Sequence, residues 1–157
     1  MSTRSNIGMK LADGRVKAIY CHWDGYPEDG GVGNTLLKYY QNKERVESLL
    51  NLGNISSLGK KIYPSGTGKH HTFDDPEDDV TVAYHRDRGE ELHDMIFDSV
   101  DAYAASMKDS WAEFIYLYAD GNWYVFSPYL KQEYGPSKWN DLEWLINAIE
   151  KNRSAAE

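Results

Sequence analysis

The run Tyr20-Cys21-His22-Trp23-Asp24-Gly25-Tyr26-Pro27 gathers side chains that react, titrate or stack, and then turns. His22 could act as a general base with Asp24 beside it, because imidazole titrates near neutral pH. Cys21 could supply a thiolate, but a lone cysteine is more often a packing residue. Nothing around it offers the helix N-terminus that lowers a thiol pKa. Trp23 and Tyr26 carry ring faces suited to stacking. A metal site joining Cys21, His22 and Asp24 to His70, His71, His85 or His93 is disfavoured. Cys21 and His22 point to opposite faces of a strand, and no second paired-ligand motif occurs. Neither a metal nor a cofactor is expected.

A second cluster, Tyr84-His85-Arg86-Asp87-Arg88-Gly89-Glu90, follows an alternating run. The forks of Arg86 and Arg88 are the strongest anion contacts in the sequence, since a guanidinium grips phosphate or carboxylate in bidentate fashion. The plainer reading is an ion-paired turn in which Arg86 and Arg88 meet Asp87, Glu90 and Glu91. His85 beside Asp87 repeats the pairing of His22 with Asp24. These four residues form the alternative catalytic set, and the two histidines would line one pocket if their strands are neighbours. Asp74 to Asp79 is an acidic stretch without the alternating oxygen ligands and bend glycine of a calcium loop. Gly30-Gly31-Val32-Gly33 lacks the Lys-Ser/Thr of a phosphate loop.

Positioning these groups falls to elements that the pattern marks out. Asp13-Gly14 and Asp120-Gly121 each separate two alternating runs, the strongest short-range hairpin signal. In the first hairpin, Ile7, Met9 and Leu11 share a face. In its second strand Val16, Ala18, Tyr20 and His22 lie opposite Lys17, Ile19, Cys21 and Trp23. Helical periodicity over 34–52 breaks at Asn42, a good N-cap, which predicts two short helices ended by a left-handed Gly53. Residues 59–79 read as a long loop, and Val80 to His85 as a strand. Ser99 caps a further helix, and Asn140 with Glu143 is spaced as a capping box for the last one. The expected fold is α+β, a mainly antiparallel sheet of about five strands with helices packed on one face. A single domain over 1–153 and a frayed tail over 154–157 complete the organisation.

A formal charge of −8 over 157 residues argues against broad DNA or RNA binding, which needs clustered Lys and Arg. No apolar run approaches the roughly 20 residues of a membrane span. The polar N-terminus lacks the apolar core of a secretion signal, and the single cysteine cannot form an internal disulfide, so the chain reads as cytoplasmic. The 12 Tyr, 5 Trp and 4 Phe are too many for all to be interior, so several rings should reach the surface.

With Ser2 to Gly8, Ala18 to Pro27, Asn54 to Gly59 and Val80 to Gly89 set out, the chain resembles a group of small uncharacterised proteins carried by bacteriophages, prophages and plasmids. The most specific element of the resemblance is the Tyr20 to Pro27 motif, supported by Tyr84-His85-Arg86-Asp87. It brings no known catalytic residues. It implies an accessory protein of a mobile element, a class rich in inhibitors and sequesterers of host defence. The expected function is non-enzymatic: binding of a host protein, or sequestration of a small anionic, nucleotide-like ligand by His22, Trp23, Tyr26, Tyr84, Arg86 and Arg88. A homo-oligomer would fit, because ligand sites are often built between subunits. The alternative is a small His/Asp hydrolase or nuclease acting on nucleotides or nucleic acid through His22, Asp24, His85 and Asp87. Mimicry of DNA ranks last, because −8 is modest against a duplex with one charge per about 1.7 Å.

Overall fold

Alternation of apolar and polar residues builds one mixed sheet in the computed structural model, which describes residues 2–66 and 71–156. Its strands among the described residues are β1 (Ser5–Lys10), β2 (Val16–Cys21), β3 (Ile55–Ser57), β4 (Val82–Ala83), β5 (Met95–Phe97), β6 (Phe114–Ala119), β7 (Asn122–Phe126) and β8 (Asn140–Asp141). The helices are α1 (Val32–Tyr39), α2 (Lys43–Leu50), α3 (Tyr84–Arg88), α4 (Val100–Ala105) and α5 (Leu142–Ala156). The order across the sheet is β4-β3-β2-β1-β6-β7-β8, and β5 pairs with the first half of β2.

Both predicted hairpins form. β1 and β2 pair antiparallel from Ser5↔Cys21 to Lys10↔Val16. β6 and β7 turn through Asp120 at φ 52° and Gly121 at φ 80°, the two positive angles of the tight turn that matches strand twist. The hairpins meet at the centre, where β1 runs parallel to β6 in register Ser5↔Phe114 through Met9↔Tyr118. The expectation of a mainly antiparallel sheet of about five strands is therefore corrected to a mixed sheet of eight. Parallel pairing needs a long crossover, here the whole stretch between the hairpins, and leaves no local mark in sequence. Strands as short as Val82–Ala83 leave no alternation either.

Helices cover both faces rather than one. On the first face Ile7, Met9, Ile19, Cys21, Tyr116, Trp123 and Val125 pack with Leu36 of α1, Leu49 of α2 and Leu145 of α5. On the second, Val16, Ala18, Ile115 and Leu117 pack under Tyr103 of α4. Gly8 makes room for that ring, since a Cβ there would lie 3.1 Å from Tyr103. Much of the aromatic excess is interior, and several of the polar tips bond the backbone. Trp123 Nε1 donates to Tyr40 O at 2.7 Å, Tyr103 Oη to Tyr116 O at 2.9 Å, and Tyr116 Oη to Gly25 O at 2.5 Å. The surface keeps its share too, with Trp111 76% and Trp23 46% exposed.

Asn42 caps α2 by accepting the Arg45 N–H at 2.8 Å, and Gly53 takes φ 74°. Ser99 accepts the Ala102 N–H at 3.0 Å. Two expectations are corrected. Asp141, not Asn140, caps α5, accepting the Trp144 N–H at 3.0 Å, while Asn140 is buried and donates to Gly135 O. The strand expected over 80–85 stops at Ala83, and Tyr84–Arg88 coil into α3. The Asp87 carboxylate accepts the Ala83 N–H at 2.8 Å, so that donor caps a helix instead of extending a ladder.

Candidate functional site

The coiling of α3 decides the fate of the second cluster. Arg86 donates through Nε and Nη2 to both oxygens of Asp87, at 2.8 and 3.0 Å, and through Nη1 and Nη2 to Ile62 O and Thr81 O at 2.7 and 2.6 Å. His71 closes this knot. Its Nδ1 accepts the Glu77 N–H at 3.1 Å, so the ring proton sits on Nε2, 3.2 Å from Asp87 Oδ1 without hydrogen-bond alignment. Burial alone would raise the Asp87 carboxyl, but Arg86, the Ala83 N–H and His71 outweigh it and hold it below the ordinary carboxylate value. Arg86 thus fastens the 59–79 loop to α3 and has no fork left to offer an anion.

Arg88 is also engaged. Its guanidinium lies 4.2 Å from the Phe73 ring centroid and 5.1 Å from that of Tyr84, and it pairs with Glu90. His85 donates from Nδ1 to Glu90 O at 2.7 Å. Tyr26 is held locally: a Cβ on Gly31 would fall 2.0 Å from Tyr26 O and 2.5 Å from its ring, so only glycine lets the loop lie on it. Asp24 takes φ 56° and its carbonyl accepts the Val32 N–H at 2.7 Å. Among the described residues no hydrogen bond or ring contact joins His22 to Asp24 or to His85. The set His22, Asp24, His85 and Asp87 is therefore not assembled. Cys21 is fully buried, which pushes its thiol up to about 12 and removes it as a nucleophile. No group of three or more metal-ligating side chains occurs among the described residues.

His22, by contrast, contacts Tyr20, which lines a shallow cleft. The roof over the second face, α4 and the 3-10 turn Ser106–Asp109, stops short of the Ser5 end of β1. There Tyr20 and His22 continue the face that Val16 and Ala18 begin, and a cleft of about 340 Å³ opens, lined by Arg4, Asn6, Tyr20, Asn54, Met95, Ser110 and Trp111. Tyr20 donates its N–H to Asn54 Oδ1 at 2.9 Å, and its hydroxyl lies 2.8 Å from His22 Nδ1. Trp23 meets the His22 ring edge-on at 4.6 Å. Arg4 holds its guanidinium 4.9 Å over the Trp111 ring and makes no ion pair among the described residues. Burial, and then the Arg4 charge, lower the His22 pKa, so the imidazole is neutral at pH 7. Burial raises the Tyr20 hydroxyl, with Arg4 opposing it.

Arg4, Asn6, Asn54 and Trp111 escaped the sequence reading because they come from three segments far apart in the chain. One signal was present: Asn6 stands inside β1 on the face where a covered strand wants an apolar residue. The cleft offers a cation, side-chain amides, a thioether and exposed ring area. Comparison with protein-family models, with curated proteins and with solved structures gives no match.

Proposed function

We propose that this chain is a small non-enzymatic accessory protein of the phage type that sequesters a small anionic, nucleotide-like ligand, acting in the host cytoplasm to counter host defence. Docking of a host protein on the same face is the other form of this reading. The observation that carries the proposal is the Arg4 guanidinium, stacked on Trp111 at the mouth of a cleft and without a carboxylate partner among the described residues. An unpaired guanidinium held in one plane is pre-organised for phosphate or carboxylate. Tyr20, His22 and Trp23 extend the surface, while Arg86, Arg88 and Tyr84 support the fold beside it.

The hydrolase reading rests on one feature, a neutral His22 beside a phenol. Native mass spectrometry of protein purified without metal-affinity steps tests the capture reading. A bound small anion in the wild type, lost in Arg4→Ala, is expected. A clean protein mass that no added anion shifts would move the function to a host protein. Turnover of an added nucleotide that disappears in His22→Ala would make the chain an enzyme.

A further inference from the structure

Charge alone does not account for the cleft floor. Asn6 is 3% exposed, projects from β1 on the side opposite Ile7, and its amide makes no hydrogen bond among the described residues. The Asn6 amide has no protein partner among the described residues yet lines the cleft, so its donors and acceptor are open to a group that arrives there. An amide offers an acceptor and two donors in one plane. Its complement is a flat edge that carries donor and acceptor side by side. Asn54 adds to this pattern. Its Oδ1 is taken by the Tyr20 N–H, which fixes the amide orientation and leaves Nδ2 as a donor beside the cleft. Ser110 accepts the Ala112 N–H at 3.0 Å and keeps its hydroxyl proton to give.

Planarity is the second requirement. Trp111 and the guanidinium resting on it form a flat wall, and both kinds of surface stack on heterocycles. A volume of about 340 Å³ lies at the small end of ligand sites and fits one ring with a short charged arm. We infer that the cleft binds a mononucleotide, its base edge on the Asn6 and Asn54 amides, its ring against Trp111, and its phosphate on Arg4. This rests on the anion-capture reading of the same site and names the class of ligand.

The test is calorimetric titration of the full chain with AMP, GMP, CMP and UMP, and with ribose 5-phosphate and inorganic phosphate as ring-free probes. At least one nucleotide should bind at least tenfold more tightly than ribose 5-phosphate. Asn6→Ala should bring that nucleotide down to the ring-free level while phosphate binding persists, and Arg4→Ala should weaken every probe. Should Asn6→Ala fail to fold, Asn54→Asp keeps the acceptor for the Tyr20 N–H and removes the donor, so it should cost the nucleotide the same preference. Equal affinity for nucleotides and ring-free probes would overturn the mononucleotide and leave anion capture standing. No binding by any probe would overturn both. Nucleotide affinity unchanged in both asparagine variants would overturn the placement of the base.

Discussion

Two arginine sites separate structure from recognition in this chain. At the knot of His71, Asp87 and Arg86, the guanidinium makes bonds to two carboxylate oxygens and two carbonyls, and the Asp87 side chain is only 5% exposed. At the cleft, Arg4 rests on Trp111 with its donors unspent on any carboxylate among the described residues. The residue type is the same, yet one site holds a loop to a helix and the other faces outward. What leaves Arg4 without an ion pair among the described residues is the absence of a neighbouring carboxylate. Asp87 sits next to Arg86 in sequence, whereas Arg4 is followed by Ser5 and Asn6.

The largest expected effect breaks the comparison at the knot. Asp87→Ala leaves the partly buried Arg86 without its counter-ion and the Ala83 N–H without its acceptor, a cost of up to about 3 kcal/mol. Arg4 is only partly buried and loses its packing on Trp111, so Arg4→Ala should cost less, about 1 kcal/mol. Urea unfolding of both variants checks this, and similar losses in the two would erase the distinction. The pH dependence carries the same sign. The Asp87 carboxyl is held below its ordinary value, so its contribution is present above the unfolded pKa of about 4 and lost as pH falls through the folded one. Stability should therefore drop on acidification below about pH 4, and Asp87→Asn should flatten that limb.

A smaller effect links the Tyr20 to Pro27 motif to the cleft. Gly25 donates its N–H to Thr3 O at 2.8 Å, and a Cβ there would lie 2.8 Å from both Thr3 O and the Ser5 Cβ. The Tyr116 hydroxyl bonds Gly25 O from the other side. Gly25→Ala must push on the segment that carries Arg4, at a cost of about 1–3 kcal/mol typical of overpacking. Anion affinity should fall with stability in this variant, whereas Asp87→Ala should leave the affinity of the folded fraction unchanged. Calorimetry on folded protein separates the two.

Local order was legible in the sequence, and long-range order was not. The Asp-Gly turns, the Asn42 break, the Ser99 cap and the facing of Val16, Ala18, Tyr20 and His22 follow from neighbours in the chain, and the structure has them all. The parallel β1 and β6 pair, the α3 coil and the cleft depend on partners tens of residues apart. Val80 to His85 alternates as a strand would, but the chain coils from Tyr84, where the Asp87 carboxylate accepts the Ala83 N–H. The same coil brings Asp87 onto Arg86, which spends the Arg86 fork inside the fold. His71 gave no signal because its role exists only once Glu77 and Asp87 close around it.

The smallest effect is the most local probe of the cleft charge. The Tyr20 hydroxyl lies 2.8 Å from His22 Nδ1, while burial first and Arg4 second disfavour the imidazolium. The folded pKa is therefore below the unfolded value of about 6.5, and protonation opposes folding. Destabilisation from this group begins as pH falls past the unfolded pKa and is complete below the folded one. Removing Arg4 withdraws only the second cause, so in Arg4→Ala the His22 ring protons should titrate at higher pH than in wild type, yet still below 6.5. Saturating phosphate should move wild-type His22 the same way, because an anion on Arg4 cancels the charge that His22 feels. NMR titration of the ring resonances reads both shifts. A His22 pKa indifferent to both would mean that Arg4 does not face this end of the cleft, which would detach His22, Tyr20 and Trp23 from the binding site while leaving the knot as described.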